Sequence, residues 1–148
     1  MKKLLFVLFL ALAVTGVQAA RAAEHATPDE AKAMAIKAAD YLKQNGSEKA
    51  FAAFNDQGGP FHDRDLYVFV QSNSGVVQAH GAIATLIGKN LITLLDVDGK
   101  AFVKEITEVK DAAWVDYKWQ NPQTKQVEMK TSYVVRVGEY LVGVGAYK

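Results

Sequence analysis

From Leu66 onward the chain is written in short runs of β-branched and aromatic residues separated by turn formers, a rhythm that confines it to an antiparallel sheet. Leu66 to Gln71, Val76 to His80, Trp114 to Trp119, Val127 to Val137 and Tyr140 to Ala146 read as strands. Ser72 to Gly75, Asn121-Pro122-Gln123-Thr124 and Gly138-Glu139 read as turns. Between the second and third strands, Gly81 to Val109 loses the alternation and is expected to cross as a loop with short helices, Lys100 to Val109 being the clearest. Ahead of the sheet, Thr27 can cap a helix, Pro28 suits its first turn and Glu30 can return to the cap amide. Ala31, Met34, Ala35, Ala38, Tyr41 and Leu42 then recur at helical spacing until Asn45-Gly46 ends the run. Ser47 to Phe54 reads as a second, shorter helix, and the turn formers from Asn55 to Pro60 stop it. The fold class is α+β, ordered helix, two strands, crossing segment, three strands.

The first residues have a different grammar. Met1-Lys2-Lys3 precede an apolar run from Leu4 to Val14 and then the small or breaking residues Thr15 to Ala19. Basic, apolar, small is the order of a secretory signal peptide. The apolar core is shorter than the roughly 20 residues of a membrane-crossing helix, so cleavage after Ala19 is expected, with Ala20 or Ala22 as alternative sites. Residues 1–19 are thus expected to be a signal peptide and 20–148 one domain, periplasmic and with no membrane span in the mature chain. No signalling domain follows the last strand, so a signal is expected to pass to another protein.

The chain has no cysteine, which suits an oxidising compartment only if the core needs no disulfide, and one core at this length meets that condition. Thiol catalysis and thiolate metal sites are excluded with it. Loss of Lys2 and Lys3 turns the formal net charge of +1 slightly negative, and no basic stripe remains to mark a nucleic-acid partner.

Strand alternation sorts side chains into two sets. Val68, Val70, Val77, Ala79, Val115, Tyr117 and Trp119 form an almost wholly apolar set, expected to face the first helix. Tyr67, Phe69, Gln78, His80, Trp114, Asp116 and Lys118 mix aromatic walls with hydrogen-bonding tips, the mixture of a small-ligand pocket. Lys118, with His80 if protonated, can pair with a carboxylate, while Tyr67, Phe69 and Trp114 exclude water. Tyr133 belongs to the same discussion, with its face left open. The competing reading is a half-solvated sheet surface carrying a snorkelling lysine.

Other chemistry has less support. Asp96, Asp98, Gly99 and Glu105 match four places of a calcium-loop pattern, but Leu94 occupies its first ligand place, which favours a turn leading into a helix. No metal and no cofactor is expected. A Ser132, His80 and Asp116 triad lacks a nucleophile-elbow motif, and Gly143-Val144-Gly145 opens no helix, so neither catalysis nor nucleotide binding is expected.

The residues also carry a family likeness. Tyr67-Val68-Phe69-Val70 with Ser74-Gly75-Val76-Val77 and Ala79-His80, Gly88-Lys89-Asn90-Leu91, Asp98-Gly99-Lys100, Trp114 to Trp119 with Asn121-Pro122, Lys130 to Val134, and Val142 to Tyr147 together resemble the single Cache domains of bacterial extracellular sensors. The resemblance implies a PAS-like five-stranded antiparallel sheet with the long N-terminal helix packed on one face. It also implies sensing of a small organic ligand, possibly a carboxylate, in the manner of chemoreceptors and sensor kinases, with a membrane receptor or kinase as partner. An accessory protein working by contact alone is the alternative, and a small exported enzyme the second. The chain departs from the family at Gly81, where proline is frequent, and a less constrained loop is expected there. Protein recovered from the periplasm should begin at Ala20 or within a few residues of it on N-terminal sequencing; an intact Met1 in the membrane fraction would contradict cleavage.

Overall fold

The computed structural model describes residues 25–148, so the expected signal peptide and its cleavage sites lie outside the described residues. Helix α1 spans Pro28–Asn45 and α2 Ser47–Asn55. Thr27 Oγ1 accepts from the Glu30 amide while Glu30 accepts from the Thr27 amide at 2.7 Å, closing the capping box read from sequence. Gly46 ends α1 at φ +78°, its amide donating back to Leu42. The strands are β1 (His62–Asp63), β2 (Leu66–Ser72), β3 (Val77–His80), β4 (Ala112–Gln120), β5 (Val127–Val137) and β6 (Tyr140–Tyr147), with a short α3 (Phe102–Glu108) before β4.

All pairings are antiparallel, and the five main strands lie in the order β3-β2-β6-β5-β4, with the two-residue β1 paired to the start of β2. The last strand therefore inserts beside the first long one, which is the α+β, PAS-like arrangement expected. Both faces of the sheet are covered. On one, the alanines of α1 (Ala31, Ala35, Ala38) bring the helix close over Val68, Val70, Ala79, Val142, Val144 and Ala146, with Phe54 and Phe61 filling the end. On the other, α3 lays Phe102, Val103 and Ile106 against Phe69, Val115, Tyr117, Val134 and Leu141.

This second layer corrects the face assignment for β4 and Val77. Val115 and Tyr117 pack under α3, not α1, and Trp119 follows them by alternation. The apolar content of β4 was read correctly, but a sheet buried on both sides gives no sign in one strand of which layer its apolar set meets. Val77 moves for a different reason. The β2–β3 ladder shifts register between Val70↔Ala79 and Gln71↔Val77, so a bulge at Gln78 turns Val77 away from the face of Ala79.

Two glycines on β6 let the second layer close. A Cβ at Gly143 would collide with the Phe69 ring, and one at Gly145 with Ser132 Oγ and the Lys130 stem. Gly81 is also set by close approach: a Cβ there would stand 2.9 Å from the Phe54 carbonyl, and its amide donates to Val68 O at 2.9 Å. The loop is thus tightly held, contrary to expectation, and proline at this position would forfeit that hydrogen bond. Val70→Ala, emptying a fully buried site under α1, should lower unfolding free energy by about 1–3 kcal/mol in urea titration, and Gly143→Ala should also destabilise by displacing Phe69. An unchanged midpoint for either would refute the packing described.

Candidate functional site

The second face encloses a small cavity. The pairing of β4 with β5 sets Tyr117 opposite Lys130, and that of β5 with β6 sets Lys130 opposite Tyr147. Lys130 therefore points into the layer beneath α3, its stem over Gly145, and is 1% exposed. Its Nζ donates to Tyr67 Oη at 2.8 Å and lies 4.1 Å from the Tyr67 ring centre and 5.1 Å from that of Tyr147. Among the described residues it makes no ion pair. Burial lowers its pKa from 10.5 to about 7, against a smaller upward pull from Asp65, while the surrounding π faces favour the charged form.

A one-way chain of hydroxyls leaves this lysine. Tyr147 Oη donates to the Gln120 carbonyl at 2.9 Å, so in its 3.1 Å bond with Tyr67 it must accept. Tyr67 in turn accepts from Lys130. Burial raises the Tyr67 pKa above the ordinary phenol range, keeping the hydroxyl protonated. Nearby, Tyr117 Oη and Ser132 Oγ bond each other at 3.0 Å, and Gln71 Nε2 donates to Val103 O at 3.2 Å.

His80 closes the β3 side. Its Nδ1 accepts from the Ile83 amide at 2.9 Å, which fixes the neutral tautomer with hydrogen on Nε2. Burial, then the Lys130 charge, lowers its pKa from 6.5 to about 3. The imidazole is consequently a hydrogen-bond donor to the cavity and not the second cation that protonation would have supplied. Phe69, Phe102, Val103, Ile106, Leu86 and Leu91 provide apolar walls. The space left between them is about 30 Å³, room for one or two waters.

Tyr67, Phe69 and His80, read from sequence as site residues, meet in this cavity. Trp114, Lys118 and Tyr133 do not line it. Trp114 and Tyr133 pair across β4 and β5 on the α1 side, rings 5.0 Å apart, with Lys32 Nζ over the Tyr133 ring. Lys118 Nζ pairs with Asp98 at 2.9 Å near the protein surface. The buried cation is instead Lys130, which sequence reading passed over inside the Lys130-Thr131-Ser132-Tyr133-Val134 run. One signal was present: alternation from Val134 on the apolar ladder carries back through Ser132 to Lys130.

The calcium-loop residues are occupied otherwise. Asp96 accepts from the amides of Asp98, Lys100 and Lys118, and Glu105 pairs with Lys100 at 2.8 Å. Among the described residues no three His, Asp or Glu side chains gather as a metal site. The triad residues are likewise apart in role: Ser132 bonds Tyr117, and His80 Nδ1 accepts from backbone amides.

A PAS-like sheet with a small, mainly apolar cavity, tipped by Lys130, His80 and the tyrosine hydroxyls, between it and the crossing segment places the chain in the PAS-like α+β class. The chain belongs to the single Cache domain 2 family, whose model matches residues 9–148. Membership makes it a domain of the periplasmic-sensor type and not an enzyme. Among the described residues no helix is long and apolar enough to cross a membrane. The sensor histidine kinase MctS of Rhizobium johnstonii is 32% identical over 90 residues, 58% of this chain; the match spans only 20% of that kinase. Among solved structures, a methyl-accepting chemotaxis protein from Vibrio parahaemolyticus shares the fold with TM-score 0.70 at 24% identity, over 80% of this chain and 86% of that one. A Cache chemosensory domain described for carboxylic acid recognition follows at TM-score 0.67 and 23% identity, over 80% of this chain and 91% of its own.

The neutral, buried His80 makes stability pH-dependent. Its folded pKa lies below its unfolded one, so the unfolded chain binds the extra proton between about 6.5 and 3, and this contribution is full above pH 6.5 and lost as pH falls toward 3. Unfolding free energy should drop between pH 7 and pH 4.5. His80→Asn, whose side-chain oxygen can still accept the Ile83 amide, should show a shallower drop; parallel slopes would contradict the assignment.

Proposed function

We propose that this domain binds a small carboxylate in the cavity beneath α3 and reports it to a separate membrane receptor or sensor kinase from the periplasm. The observation that carries the reading is Lys130, a buried amine with one hydroxyl partner and no ion pair among the described residues. A buried ammonium is costly unless an opposite charge joins it. A ligand carboxylate supplies that charge, with the Lys130 ammonium and the His80 Nε2–H as donors, Tyr67 holding the lysine, and Phe69 excluding water. Support also comes from the carboxylic acid recognition described for one structural neighbour and the kinase context of the MctS relative.

Lys130→Met keeps most of the stem's volume and removes the charge. The protein should remain folded and lose at least about tenfold in affinity for an acid found by thermal-shift screening, or about 1.4 kcal/mol. Because the free lysine titrates near pH 7 and a bound carboxylate raises it again, affinity should be full below pH 7 and weaken by up to about tenfold per unit above it. Unchanged affinity in Lys130→Met would remove the lysine from recognition. The small volume of the cavity favours one other reading, an accessory protein acting by contact alone; a screen in which no small molecule raises the melting temperature while a receptor fragment does would select it.

A further inference from the structure

Outside the cavity runs a groove of about 310 Å³ with an almost entirely apolar lining. Leu95, Val97 and Val127 stand along it at 53%, 69% and 51% exposure, large apolar side chains whose contact with water is costly. The groove shares Leu86 and Trp119 with the inner cavity, so those two side chains form the partition between the small chamber that holds Lys130 and a larger, almost wholly apolar one. Lys118 at its lip is already paired with Asp98, and Asp96 turns both carboxylate oxygens to backbone amides, so among the described residues the groove offers no free cation.

Resting on the carboxylate reading of Lys130, we propose that this groove is the outer half of the same binding site. It takes the aliphatic tail of a straight-chain monocarboxylate whose head passes between Leu86 and Trp119 to reach Lys130. The division of chemistry fits one amphiphile: the cation lies in the inner chamber, the unpartnered apolar surface in the outer one. A second acidic group on the ligand would meet no free cation in the groove among the described residues, since Lys118 is paired with Asp98.

Calorimetric titration of the full chain with acetate, butyrate, hexanoate and octanoate tests this. Affinity should rise by roughly three- to fourfold per methylene once the chain is long enough to enter the groove. Leu95→Asp and Val97→Asp, both at exposed positions, should abolish that rise, and Lys130→Met should weaken every acid at least about tenfold. Octanoate binding no tighter than acetate, or a length dependence untouched by both aspartate substitutions, would overturn the groove's role and leave the Lys130 reading standing. Octanoate affinity unaffected by Lys130→Met would overturn the continuity of the two chambers. Failure of every acid, acetate included, to bind the folded protein would instead overturn the carboxylate reading itself.

Discussion

The Lys130 amine, enclosed by the rings of Tyr67 and Tyr147 and with no carboxylate against it among the described residues, is the group around which the cavity face is organised. Its stem needs the absence of a side chain at Gly145, and the tip of the neighbouring Phe69 ring needs the same at Gly143. Its hydrogen bond passes through Tyr67 to Tyr147 and ends on the main chain of β4 at Gln120. The same buried group that defines the site thus joins the first long strand, the last strand and the edge strand. A side chain at either glycine would keep the layer from closing.

The opposite layer is built without such a cost. Alanines on α1 meet valines of β2 and β6, and the polar cost is concentrated at one end, where the fully buried Asp65 accepts from His25 at 2.8 Å, the Ala26 amide at 3.0 Å and Asn121 at 3.4 Å. Asp65 also faces Lys130 electrostatically from outside hydrogen-bonding range. It offsets part of the lysine's burial without neutralising it.

Local signals carried the elements well. The Thr27–Glu30 capping box, the Asn45-Gly46 stop and the run Val127–Val137 appear in the structure as the residues suggest, because caps, turns and strand periodicity are short-range. The faces of β4 and β3 were not legible. Trp114 and Lys118 looked like pocket residues because an apolar alternation has two registers, and only the tertiary layers choose between them. The bulge that turns Val77 has no residue signature in Val76-Val77-Gln78, and Lys130 sits in a run that reads as an ordinary amphipathic strand. The structure gathers Tyr67, Phe69 and His80 round one lysine, and that lysine is Lys130 on β5, opposite Tyr117, while Lys118, the residue after Tyr117 on β4, pairs with Asp98.

The crossing segment is fixed at two abutments of unlike strength. At the β3 edge it is held by main-chain bonds from Val77 to Lys89, from Gly88 to Val77 and from Leu91 to Gly75. At the β4 edge it is held by side chains: Asp96 on the Lys118 amide, Lys100 on the Asp116 carbonyl, and the Asp98–Lys118 ion pair. Exposed ion pairs weaken with dissolved electrolyte and main-chain ladders scarcely do. The segment's two edges therefore answer differently to ionic strength: salt screens the Asp98–Lys118 pair at β4 and leaves the main-chain bonds at β3 in place.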